Sequence, residues 1–224
     1  MLLVRKPLFL LCCGLRPLTG GANSSITAHK MLNSTRTKHS AITAPTLCSR
    51  QKGSPRSFPP ADQDFDFFLV LDFEATCDQH KQIVPQLTGI IQSMVDNQPT
   101  FEQVLQQAEK WMKTEGLLGS QQRFLFVTCG DWDLKVMLPG QCKHLGLPLP
   151  EYFRNWVNIK KAYAQTVGDF PRDLASMLKG LQLQHVGRHH SGLDDCKNIA
   201  AILRELAVRN YIFKPTGCLR THPT

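Results

Sequence analysis

Beyond residue 61, two continuous apolar runs stand out, Phe67 to Leu71 and Phe124 to Val127. A continuous apolar run bounded by polar residues predicts a strand buried on both faces. The first run leads into Asp72-Phe73-Glu74-Ala75-Thr76, and the second into Thr128-Cys129, closed by Gly130. Trp156-Val157-Asn158-Ile159 predicts a further short strand.

Elsewhere the apolar residues follow a helical period. Ile90, Ile91, Met94 and Val95 predict a short helix closed by Pro99. Thr100 and Gln103 form a capping-box pair ahead of Phe101, Val104, Leu105, Ala108, Trp111 and Met112, with Gly116 as the stop. Leu134 to Leu138 predicts a short helix broken by Pro139-Gly140, with Cys142 and Leu145 on a second turn. Residues 172–179 predict a helix ended by Gly180. The stretch His189-His190-Ser191-Gly192-Leu193-Asp194-Asp195 opens a last helix through Ile199, Ile202, Leu203 and Leu206. Strands alternating with helices indicate an α/β domain.

Charge divides the chain. Of 26 Lys and Arg residues and 18 Asp and Glu residues, no acid precedes Asp62. The net charge of +8 therefore belongs to residues 1–61, and the basic balance is no evidence for a nucleic-acid-binding face on the domain. Residues 1–61 read as a disordered basic targeting or tail segment, residues 65–215 as the folded domain and residues 216–224 as a flexible tail. A hydroxyl-rich, acid-free start resembles a mitochondrial transit peptide. A secretory signal and a plain tail of a cytoplasmic or nuclear protein are the alternatives. Leu8 to Leu15 is too short to span a bilayer, so no stable membrane insertion is expected. The 8 Cys residues show no CxxC or zinc-ligand spacing. Cys77, Cys129 and Cys196 are expected to be reduced core thiols.

In a strand, side chains two residues apart point the same way, so Asp72 and Glu74 project together from the end of a buried strand. Two like charges placed there need protonation or a cation, and close-set oxygen ligands suit Mg²⁺ or Mn²⁺. Further acids stand at element ends: Asp131 or Asp133, and Asp194 or Asp195 near His190. Acids from three separated segments can hold two divalent ions that clamp both oxygens of a phosphoryl displacement. A His on the loop above them can take the proton of an attacking water. Taken singly, each acid has a plainer role as an ion-paired strand end, a turn or a helix cap.

The stretches "DFEAT", "CGDWD" and "HHSGLDDCKNIA" resemble the three exonuclease motifs of the DEDDh (DnaQ-like) superfamily, above all the 3′→5′ exoribonucleases of the enhanced-RNAi family. The resemblance covers about Phe65 to Pro215. It implies an RNase H-like mixed sheet flanked by helices. It also implies that Asp72, Glu74, Asp133 and Asp195 hold two Mg²⁺ ions with His190 as general base, and Glu74 counts among the catalytic residues. Asp133 is chosen because the family's acid follows an aromatic, here Trp132. Asp195 is chosen because the family spaces its His and Asp five apart. The implied substrate is a single-stranded RNA 3′ end, cut to 5′-mononucleotides. Phe73, Ala75 and Thr76 are its candidate contacts, through base stacking in the case of Phe73.

One departure stands out. The family carries two more strands between its first motif and "LTGI", whereas only Cys77 to Gln86 separate Thr76 from Leu87 here. Ten extended residues reach at most about 33–36 Å, too little for two strands and their turns, and about forty residues are missing from the pattern. The expectation is a sheet truncated by two strands, with an exposed edge on the Asp72 strand. An active exoribonuclease is the first expectation. A catalytically weakened RNA- or protein-binding variant and a DNA-directed exonuclease are the alternatives. With no separate RNA-binding module in the sequence, a protein partner would choose the substrate.

Overall fold

The computed structural model of the chain describes residues 8–14, 26–29, 62–74, 90, 92–119 and 121–219. Among the described residues, six strands form one mixed sheet in the order β2-β1-β3-β4-β5-β6. They are β1 (Leu8–Gly14), β2 (Ile26–His29), β3 (Phe67–Phe73), β4 (Phe124–Thr128), β5 (Asn155–Asn158) and β6 (Gly217–Cys218). The central three are parallel, with Phe67 beside Phe124 and Phe126 beside Trp156. The helices are α1 (Gln92–Val95), α2 (Phe101–Thr114), α3 (Leu138–Leu145), α4 (Ile159–Val167), α5 (Leu174–Gly180) and α6 (Gly192–Val208). This is the α/β architecture that the strand and helix pattern predicts.

The strands read as apolar runs because helices cover both faces. On one face Phe68, Val70, Leu125, Val127 and Val157 pack with residues of α4, α5 and α6. On the other, Leu69, Leu71, Phe73, Phe126 and Trp156 pack with α2 and α3. From Phe68 to Leu71 β3 is fully buried. Each such side chain is worth about 1.5–3 kcal/mol relative to exposure, so β3 is a rigid base for the carboxylates at its end. The Thr100–Gln103 capping box starts α2 as expected, with both reciprocal bonds made.

The expected bare edge of the Asp72 strand is not bare. β1 lies antiparallel along all of β3, from Leu8 opposite Phe73 to Gly14 opposite Phe67. β2 pairs in turn with β1, Leu10 opposite His29. Two pieces of the basic extension thus join the sheet as strands, against the expectation of a wholly disordered segment over residues 1–61. A strand edge offers unpaired N–H and C=O groups, and a partner from the same chain satisfies them. At the other end, Gly217–Cys218 pairs with Asn155–Trp156, so the expected flexible tail begins with a sheet strand.

Two local expectations also change. Pro139-Gly140 does not break a helix: Pro139 stands in the first turn of α3, where a missing N–H is tolerated. The residues before it, Asp133–Met137, form a π-helical turn that runs straight into α3. Ile159 opens α4 and does not end β5, because Asn158 caps that helix by accepting from the Lys160 backbone N–H.

Candidate active site

Asp72 and Glu74 stand at the end of β3, Asp133 at the start of the π turn after β4, and Asp195 in the first turn of α6. Glu74, Asp133 and Asp195 are 6%, 7% and 9% exposed, which for carboxylates demands compensation. One oxygen each of Asp72, Glu74 and Asp195 lies within 4.8 Å of the others. Asp133 joins them through a hydrogen bond from the Phe73 backbone N–H to its Oδ1, 3.1 Å. α6 is docked against β3 through Cys196, whose Sγ lies 3.9 Å from the Val70 carbonyl oxygen.

The acids repel one another. Burial, then Asp133, Glu74 and Asp195, raise Asp72 well above the ordinary carboxylate range. Burial first, and Asp195 second, push Glu74 up to about 7, against the pull of Arg188. Burial likewise raises Asp195, against the nearby His190. Its Oδ1 is buried and has no hydrogen-bond partner among the described residues. Such a cluster holds its protons to higher pH than free carboxylates do unless a cation replaces them. The donors are all carboxylate oxygens, which suits a hard divalent ion. Metal–oxygen bonds of about 2.1 Å place opposite ligands about 4.2 Å apart, so small side-chain shifts close the set on an ion.

The structure separates the alternatives the sequence leaves open. Asp131 accepts from Trp156 Nε1 at 2.9 Å and from Lys161 Nζ at 2.8 Å. Burial works to raise it, but hydrogen bonds from Lys161, Trp156 and Asn158 hold it below the ordinary range. Asp194 is paired with Lys197 Nζ at 2.9 Å and accepts from the Arg188 backbone N–H at 3.2 Å. Both are committed to holding the fold, whereas Asp133 and Asp195 face the Asp72–Glu74 pair.

The loop before α6 is clamped. Asn198 exchanges hydrogen bonds with both backbone groups of Val186, each at 2.9 Å. Gly187 has a φ of +77° and lies against Asp194, where a Cβ would meet that carboxyl carbon at 2.2 Å. Only glycine fits there. His190 follows with a left-handed φ of 58°. Its backbone N–H donates to Asp195, and the residue is exposed. His189, which reads in sequence as an exposed neighbour, is exposed, yet it stacks on His185 and reaches Asp195.

Phe73 is not a stacking platform. Its ring is buried beside Phe101, with centroids 6.5 Å apart, because it alternates onto the α2 face of the sheet. Ala75, Thr76 and Cys77 lie outside the described residues. Two residues next to the acids have the chemistry that sequence reading missed. Trp132 is 42% exposed and adjoins Asp133. Arg188 acts on Glu74. The tryptophan next to a candidate acid is a legible signal for the first, while the second depends on the loop's path.

Comparison with known proteins identifies the family. The model of the family described as "Exonuclease" matches residues 81–203. Human ERI1 exoribonuclease 3 is 49% identical over 200 residues, covering 72% of this chain and 59% of that protein. Human 3'-5' exoribonuclease 1 is 32% identical over 188 residues, covering 63% of this chain and 52% of that protein. This chain thus spans between half and three fifths of the length of these relatives. Seventy-two per cent of 224 residues is about 161, against 200 aligned, so about forty positions of the first relative have no counterpart here, as the motif spacing implies. Among solved structures, the nuclease domain of 3'hExo, a DEDDh family member bound to rAMP, superposes with a TM-score of 0.58 at 32% identity, covering 66% of this chain and 77% of that one. A 3'-exonuclease recognising the 3′ end of a histone mRNA stem-loop superposes with a TM-score of 0.60 at 28% identity, covering 76% and 64%.

Proposed function

The chain belongs to the exonuclease family, and on that premise we propose that it is a metal-dependent 3′→5′ exoribonuclease. The observation that carries this reading is the meeting of four acids from three separated segments at one end of the parallel strands. Asp72, Glu74, Asp133 and Asp195 would hold two divalent ions, Mg²⁺ or Mn²⁺. Bound there, such ions lower the pKa of water and stabilise charge on the departing 3′ oxygen. The residues do the rest. The His190 imidazole takes the proton of the attacking water. Exposed Trp132 offers a face on which the terminal base stacks, and Arg188 offers charge to the scissile phosphate. The products are 5′-mononucleotides.

The relatives named for exoribonuclease activity and for a histone mRNA stem-loop support an RNA 3′ end as substrate. A protein partner that selects the RNA is part of the same proposal. The acid-free composition of residues 1–61 supports a mitochondrial address, which a fluorescent fusion of those residues tests. Among the described residues, no helix is long and apolar enough to cross a membrane. The function is tested by incubating the purified chain with matched ribo- and deoxy-oligonucleotides and identifying the products. Mononucleotides released from the RNA, and more slowly from the DNA, are expected. Binding of the RNA without release would identify a weakened binding variant instead.

A further inference from the structure

Two imidazoles border the acid cluster and have no part in the proposed hydrolysis. His185 and His189 stack with ring centroids 3.8 Å apart at 30°. One ligand atom from each of His185, His189 and Asp195 lies within 4.8 Å of the others. His185 Nε2 is buried and has no hydrogen-bond partner among the described residues, and the same holds for Asp195 Oδ1. A buried polar atom left unsatisfied costs about 1–3 kcal/mol. A cation bound through these two atoms would satisfy both.

The chemistry of this set differs from that of the four acids. Two nitrogens and one oxygen suit Zn²⁺, Co²⁺, Ni²⁺ or Cu²⁺ and are poor ligands for Mg²⁺. Tetrahedral bonds of about 2.0–2.1 Å require ligand atoms about 3.3 Å apart. His185 is held beside the Val186–Asn198 clamp, so it moves little. His189 is exposed, and its ring must turn out of the stack on His185 to face the ion. Three protein ligands leave a fourth position for water, as in open zinc sites.

We propose that His185, His189 and Asp195 form a second metal site, selective for a transition cation of the Zn²⁺ class, which competes with the hydrolytic ions for Asp195. An ion held there draws Asp195 away from Asp72 and Glu74. It also fixes the loop that carries His190. Micromolar Zn²⁺ therefore switches the protein off in the presence of excess Mg²⁺. The site rests on its own geometry, and the inhibition rests on the proposed exonuclease activity.

The test uses the full chain with Co²⁺ and Zn²⁺ in excess Mg²⁺. Co²⁺ should give the visible absorption of a four-coordinate nitrogen- and oxygen-ligated ion, and Zn²⁺ should abolish it. His189→Ala should weaken Co²⁺ and Zn²⁺ binding at least about tenfold. Without Zn²⁺ its Mg²⁺-dependent RNA hydrolysis should match the parent chain, and it should stay active at Zn²⁺ concentrations that silence the parent. Equal binding, or equal Zn²⁺ inhibition, in the two proteins would overturn the proposal. A Co²⁺ band lost in His189→Ala, with no RNA hydrolysis by either protein, would uphold the site and refute the exonuclease reading.

Discussion

The Phe73 backbone N–H donates to Asp133 Oδ1 across 3.1 Å, joining two motifs that stand sixty residues apart. The bond fixes the second acid relative to the first pair. It also explains why a residue between Asp72 and Glu74 is apolar: the Phe73 side chain anchors the strand in the core while its backbone N–H holds an acid.

Substitution of Asp133 separates these roles. Asp133→Asn keeps an acceptor for the Phe73 N–H and should leave Tm near that of the parent. Asp133→Ala orphans a buried donor and should cost about 1–3 kcal/mol. Both should lose hydrolysis, because the charge is gone. Thermal melts and RNA turnover of the two variants check this split.

The raised carboxylates give the metal-free protein a defined pH dependence. An unfolded Glu ionises near 4.5, whereas folded Glu74 keeps its proton until about 7. Between these values the folded state binds more protons, so stability falls as pH rises and levels off above 7. Asp72 and Asp195 add to the fall in the same direction. Melting in EDTA between pH 4.5 and 8 should show this decline, Glu74→Gln should flatten it, and saturating Mg²⁺ should offset it near neutrality.

Removal of residues 1–29 takes away β1 and β2 and bares the β3 edge. The truncated chain should melt lower, by about 2–4 °C for each kcal/mol lost in a protein of this size. It should also associate through the bared edge. Melting curves and light scattering of the two lengths report both effects.

Gly187→Ala should displace the loop that carries His190. The new Cβ would meet the Asp194 carboxyl carbon at 2.2 Å in a left-handed backbone. Strain of about 1–3 kcal/mol is expected, with a fall in kcat larger than any change in Mg²⁺ affinity. Steady-state kinetics over a range of Mg²⁺ concentrations measure both.

How much of this was legible in the sequence follows from the range of the forces involved. Asp72 and Glu74 could be placed because strand periodicity is local. The preference for Asp133 over Asp131 came only from resemblance; its physical basis is the pairing of Asp131 with Trp156 and Lys161, which no local pattern reveals. The π turn at Asp133–Met137 reads as an ordinary helix because both share the same apolar spacing. The pairing of Leu8–Gly14 with Phe67–Phe73 is invisible for a similar reason: an apolar run does not name its partner, and 52 residues lie between the two. Phe73 reads as a base-stacking residue because it is an aromatic in the first motif, but alternation sends its ring into the core.

The most direct test follows a 5′-labelled single-stranded RNA on a gel with the parent chain and Asp72→Asn, in Mg²⁺ and in EDTA. A ladder shortening from the 3′ end, seen only with the parent chain and only in Mg²⁺, is the predicted result. An undegraded RNA with the folded parent chain in Mg²⁺, or a ladder that survives Asp72→Asn, would contradict it.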